Sequence, residues 1–178
     1  MPTALLVIDV QNFLVEDPML HCSGPTLEAI AGLQARARRA GVPVLHARHT
    51  EPEPGSPQPG SRGWQIHDDV APAEGEAVLD KLADDAFWGT DLGERLAALG
   101  VDRLVIAGLL SEHCVGTTAR SAVAHGYDVV IAADGHTTLA NDLLGAALAI
   151  EYQNMLLDGF GTPEHEIAVR PARAIELP

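Results

Sequence analysis

The chain has 178 residues, 47% of them apolar and 20% charged, the profile of a single water-soluble domain with its own core rather than of a disordered or fibrous chain. Its formal charge is −14, with only 11 lysines and arginines, which excludes a phosphate-neutralising nucleic-acid surface and disfavours anionic membranes. Two cysteines, a first segment without a basic lead or cleavage pattern, and no long uncharged apolar run predict free thiols in a reducing cytoplasm and no membrane helix.

In chain order, Ala4–Asp9 is a short continuous apolar run ending in a carboxylate, the pattern of a strand buried on both faces. Thr26 is placed to cap a helix over Leu27–Ala40, stopped by Gly41. Val42–His49 reads as a second strand, with Pro43 tolerated only near its start. Residues 51–64, with four prolines and three glycines, form a long loop. A short strand is expected at Ala77–Asp80, then a helix from a Thr90 cap to Leu99 and Gly100.

Arg103–Leu109 is the clearest buried strand, followed by a helix over His113–His125 that Gly126 stops. Asp128–Ala133 reads as another buried strand. A helix beginning at Asn141 or Asp142 runs to Leu156, and Glu166–Val169 is a last strand. Strands alternating with helices, without repeat or internal boundary, predict one domain over residues 1–178. The architecture is Rossmann-like: three α/β/α layers around a mostly parallel sheet. Ligands of such sheets bind beyond the carboxyl ends of the strands, so functional residues are sought there.

Three residues answer that description. Asp9 closes the first strand among apolar neighbours, where desolvation makes a carboxylate a better base; alternatively it only bonds turn amides. Lys81 ends the third strand and is either a surface lysine or, if buried, the partner of an anion such as Asp9. Cys114 opens the helix after the best strand, where the helix N-terminus favours thiolate; the bland alternative is a small buried hydrophobe. His113 points about 100° away from its neighbour and is no partner for it. A base, a cation and a thiol at three strand ends suffice for nucleophilic attack, with amides of the Leu109–Cys114 turn as an oxyanion hole.

These residues lie in segments that resemble the isochorismatase-like hydrolases. Asp9-Val-Gln-Asn-Phe13 is similar to the family's opening signature, and Lys81 followed by Phe87-Trp-Gly-Thr90-Asp-Leu92 to its central lysine motif. Gly108-Leu-Leu-Ser-Glu-His-Cys114-Val, continued by Thr117-Thr-Ala-Arg120, is similar to its nucleophile motif, although Ser111-Glu112 stands where Thr-Asp or Thr-Glu is more usual. Gly126-Tyr-Asp-Val129 and Asp134-Gly-His-Thr137 extend a resemblance that covers roughly residues 3–157.

The resemblance implies an Asp9–Lys81–Cys114 triad, a cis peptide at Leu109–Leu110, and an oxyanion hole from the Leu110 and Cys114 amides. It implies cleavage of a small-molecule C–N bond, amide or carbamoyl, through a Cys114 thioester, in a dimer or tetramer. Vinyl-ether hydrolases of the family generally lack the cysteine. Its nicotinamidases bind a metal through an Asp-x-His pair and a further His; here His49-Thr-Glu51 and His67 are the loose counterparts, so neither metal nor other cofactor is expected. Nicotinamidase, vinyl-ether hydrolase and a catalytically silent binding member are the alternatives, as is redox chemistry at Cys114 with Cys22. Phe13, Trp64, Phe87 and Trp88 are candidate walls of a substrate pocket, with core packing or, for Trp64, a lid or subunit contact as the other reading.

Overall fold

A computed structural model describes residues 1–51 and 56–178; part of the Pro/Gly loop expected at 51–64 lies outside the described residues. Six strands form one sheet: β1 Thr3–Ile8, β2 Val44–His49, β3 Ala77–Lys81, β4 Arg103–Leu109, β5 Asp128–Thr137 and β6 Ile167–Arg170. Their order is β3-β2-β1-β4-β5-β6 and every pairing is parallel. The helices are α1 Asn12–Val15, α2 Ser23–Ala40, α3 Leu92–Ala98, α4 Gly116–Ala124 and α5 Ala146–Leu157. This is the expected three-layer architecture. Among the described residues no helix is long and apolar enough to cross a membrane.

The continuous apolar strands are read alternately by two cores. In β1, Ala4, Leu6 and Ile8 join the core beneath α3 and α4, with Leu92, Leu96, Val115 and Ala119. Leu5 and Val7 face the other way, onto Ile30 and Leu33 of α2. Burial on both faces is why these strands lack polar alternation. β1 and β4 lie so close that a Cβ on Gly108, at φ +135°, would stand 2.0 Å from the Ile8 carbonyl oxygen. Only glycine fits there.

Several boundaries differ from the sequence pattern, among them the start of α3, where Asp91 rather than Thr90 holds the cap position. α2 begins at Ser23, after Cys22 in a left-handed conformation, and takes Thr26 into its buried first turns. Pro25 is tolerated because first-turn amides need no helical acceptor. α5 begins only at Ala146, because Asn141 spends its side chain on the amides of Leu143 and Leu144 in a local turn. β5 continues to Thr137 through a register shift against β4 between Ile106 and Gly108. The helix expected from His113 is two pieces: a wide turn over Ser111–Val115 that breaks at His113 (φ −93°, ψ −105°), then α4.

Candidate active site

The strand order reverses direction of progression between β1 and β4, and in open α/β sheets ligands bind at such a switch point. Asp9 leaves β1 and Cys114 follows β4, so the two flank that point. Lys81 comes from β3, two strand spacings (about 10 Å) from β1, and its long stem reaches back across β2. In β2, His49 sits level with Lys81 in the register.

Asp9 is 1% exposed, at φ +52°, the left-handed region that Asp tolerates better than most residues. No backbone amide bonds its carboxylate, so the turn-capping alternative does not describe it. Oδ2 instead lies 2.7 Å from Nζ of Lys81. That contact is ionic and not aligned as a hydrogen bond, and both carboxylate oxygens lack a well-directed donor. Lys81 is wholly buried. Its ammonium donates to Cys114 Sγ at 3.1 Å and to the Ala83 carbonyl at 2.9 Å, and lies 3.4 Å from His49 Nδ1. The surface-lysine reading therefore fails, and the partner anion is Asp9.

Burial lifts the Asp9 pKa above the ordinary carboxylate range even against the pull of Lys81. Burial also works against the Lys81 charge, but Asp9 and Cys114 outweigh it and hold its pKa above the ordinary lysine value. For Cys114, burial and then the Asp9 charge push the thiol pKa up, despite Lys81. Loss of solvation and a neighbouring anion thus act against the thiolate expected from the helix terminus.

The turn carrying Cys114 is held by a second polar chain, with Ser111 and His136 buried and Asn154 half-buried. Ser111 Oγ lies 2.8 Å from His136 Nδ1, His136 Nε2 lies 2.9 Å from Asn154 Oδ1, and Asn154 Nδ2 donates to the Ala133 carbonyl. The last bond orients the Asn154 amide, so His136 donates from Nε2 and accepts the Ser111 hydroxyl at Nδ1. Burial lowers the His136 pKa, which keeps the imidazole neutral. The Leu109–Leu110 peptide preceding this turn is cis.

Of the aromatic candidates, Phe87 stacks on His125 and Tyr127 with centroids 4.6 and 5.9 Å away, at the end of α4 opposite Cys114. It packs against the core rather than forming a pocket wall beside the thiol. The preceding Ala86 amide donates to Thr118 Oγ1, and the Phe87 amide donates to Asp85 Oδ1. Trp88 is 62% exposed. Phe13 packs on the 57–63 loop, its amide donating to Gly63. Trp64 lies under the Arg48 guanidinium at 3.2 Å and donates from Nε1 to Thr50.

His49, Glu51 and His67 do not converge. Glu51 accepts from Ser56, and His67 Nδ1 accepts the Asp69 amide. Ligand atoms of Asp9, His49 and Cys114 do lie within 4.8 Å of one another, but the Lys81 ammonium contacts each of those residues and already supplies the cation there. Both cysteines are free; Cys22 is exposed, beside His21, and Cys114 is buried.

Two contributors escaped the sequence reading. Buried Gln11 accepts the His49 amide and donates to the carbonyls of His49 and Trp64, tying β2 and the 61–67 loop to the Asp9 turn. The only signal was its place in the Asp-Val-Gln-Asn motif. Asp84 Oδ1 accepts from Cys114 Sγ at 3.5 Å, and nothing in the loop sequence marked it.

The chain belongs to the isochorismatase domain family, whose profile matches residues 3–160. A streptothricin hydrolase of Streptomyces noursei is 40% identical over 136 residues, 76% of this chain and 49% of that protein. The chain thus spans about half the length of that relative. A maleamate amidohydrolase of Pseudomonas putida is 32% identical over 72% of this chain and 68% of its own length. The crystal structure of an isochorismatase from Pseudomonas putida KT2440 superposes with a TM-score of 0.88 at 28% identity, covering 98% of this chain and 90% of that one.

Proposed function

We propose that the chain is a cysteine hydrolase that cleaves a C–N bond, amide or carbamoyl, of a small molecule. The observation that carries this reading is one buried ammonium, Lys81 Nζ, held 2.7 Å from a carboxylate and 3.1 Å from a thiol. Resemblance to proteins named streptothricin hydrolase and maleamate amidohydrolase supports the bond class.

In this mechanism Asp9 takes the thiol proton as Cys114 Sγ attacks the acyl carbon. Lys81 stabilises the sulfur as it gains charge, and the Leu110 and Cys114 amides receive the developing oxyanion. The C–N bond breaks with the proton passing from Asp9 to the leaving nitrogen. Water then attacks the thioester, with Asp9 as its base, giving the acid and restoring the thiol.

The test is ammonia release from a panel of small primary amides and carbamoyl compounds by wild type and Cys114→Ala. Release that is lost in the variant supports the reading; release that survives it, or a wild type inert across the panel, sinks it.

We also read the protein as a cytoplasmic homo-oligomer. Support comes from two free thiols and from Leu148, Tyr152, Met155 and Leu156, exposed along α5 as a stripe suited to a subunit contact. Sedimentation as a monomer would count against the second part.

A further inference from the structure

Cys114 lies between two carboxylates of opposite character. Asp9 is on the buried side, and its charge is matched by Lys81. Asp84 is on the solvent side, its side chain 48% exposed and its Oδ1 3.5 Å from the sulfur. The other oxygen, Oδ2, lies 3.5 Å from Nδ1 of the exposed His113. Among the described residues, no lysine or arginine is ion-paired with Asp84. Asp9 is buried and matched by Lys81, so Asp84 is the exposed carboxylate in contact with the sulfur.

Its position is built rather than incidental. Lys81 holds the Ala83 carbonyl at 2.9 Å, and Thr118 Oγ1 donates to the Asp84 carbonyl at 3.3 Å while accepting the Ala86 amide at 3.0 Å. Asp85 next to it is fixed by Ser121. The backbone on both sides of Asp84 is therefore pinned to the residues that surround the thiol. Any acyl group bonded to Sγ has its first few atoms within reach of this carboxylate. A negative group there is repelled in a partly desolvated site, and a positive one is attracted.

Resting on the cysteine-hydrolase reading, we infer that Asp84 is a specificity residue that selects substrates carrying a positive charge a few bonds from the scissile carbonyl, against anionic ones. The selection is electrostatic and acts before any bond changes.

Labelling of Cys114 tests this without requiring turnover. Two methanethiosulfonates are compared, one bearing trimethylammonium and one bearing sulfonate. In each case the sulfur attacks the reagent sulfur, a mixed disulfide forms and methanesulfinate leaves. Mass analysis of the Cys114 peptide keeps the exposed Cys22 out of the measurement. Wild type labels faster with the cationic reagent, and in Asp84→Asn the ratio of the two rates falls about tenfold at low salt. An unchanged ratio overturns the inference, whatever the outcome of the ammonia assay.

Where turnover is seen, β-alaninamide and propionamide separate charge selection from proton transfer. Asp84→Asn lowers kcat/KM for the first relative to the second. An equal loss on both would make Asp84 a proton acceptor instead and also overturn the inference.

Discussion

Two largely buried polar chains meet at the turn that carries Cys114, and they differ in one respect. Ser111, His136 and Asn154 form a neutral chain in which each donor has an acceptor. Asp9, Lys81 and Cys114 form a charged one in which both carboxylate oxygens lack a well-directed donor. A satisfied neutral chain has nothing left to offer a ligand and serves to fix geometry. A buried carboxylate with spare acceptor capacity beside a thiol can take a proton. Within one protein, ionised groups rather than burial distinguish the proposed reactive cluster from the supporting one.

The strongest way to break this comparison is to remove the cation. Lys81→Met leaves Asp9 buried and unpaired, so it should cost about 3–5 kcal/mol in urea unfolding and reduce turnover about a thousandfold or more. Adding Asp9→Asn should recover much of the stability and none of the activity. Recovery of activity would show that the charged chain only supports the fold.

A smaller effect is expected in the neutral chain. Ser111→Ala strips the donor from His136 Nδ1 and should cost about 1–3 kcal/mol, with kcat lower by about tenfold through loosening of the Cys114 turn. Combined with Asn154→Ala, the losses should not add, because the two act through one imidazole. Additive losses would show that His136 does not couple them.

The smallest effect sharpens the contrast by pH. The folded-state pKa of His136 lies below its unfolded value near 6.5, so the unfolded chain binds the proton more readily in the window below 6.5. Its contribution to stability is present above that value and is lost as pH falls through the window. The gap in Tm between wild type and His136→Gln should therefore narrow from pH 7 to pH 5. A constant gap would mean that His136 is not held neutral by burial.

Much of this was legible in the sequence because strand ends are legible. Asp9, Lys81 and Cys114 stand where apolar runs stop, and a parallel sheet brings such ends to one rim. The succession of six strands along the chain and the glycine stops were legible too. What stayed hidden depends on through-space geometry. Asp84 sits in a loop without periodicity, thirty residues from the sulfur it touches. Phe87 stands in the lysine motif, yet its ring stacks on His125. The ionisation of Cys114 could not be judged from a helix N-terminus alone, since depth and the charge of Asp9 decide it. Asn141 announced a helix start, but its side chain closes a turn four residues earlier than Gly145, where α5 is capped.

The sheet order has a consequence for what an activity measurement counts. Lys81 belongs to β3, the outermost strand on its side, whereas Asp9 and Cys114 hang on the two central ones. An outer strand has one neighbour and is the first to open in local fluctuations. When β3 detaches, the core beneath α3 and α4 can persist while Asp9 and the thiol lose the cation they share. On the proposed mechanism, turnover would then come only from molecules with a closed rim, and it should fade on warming before the bulk of the sheet lets go.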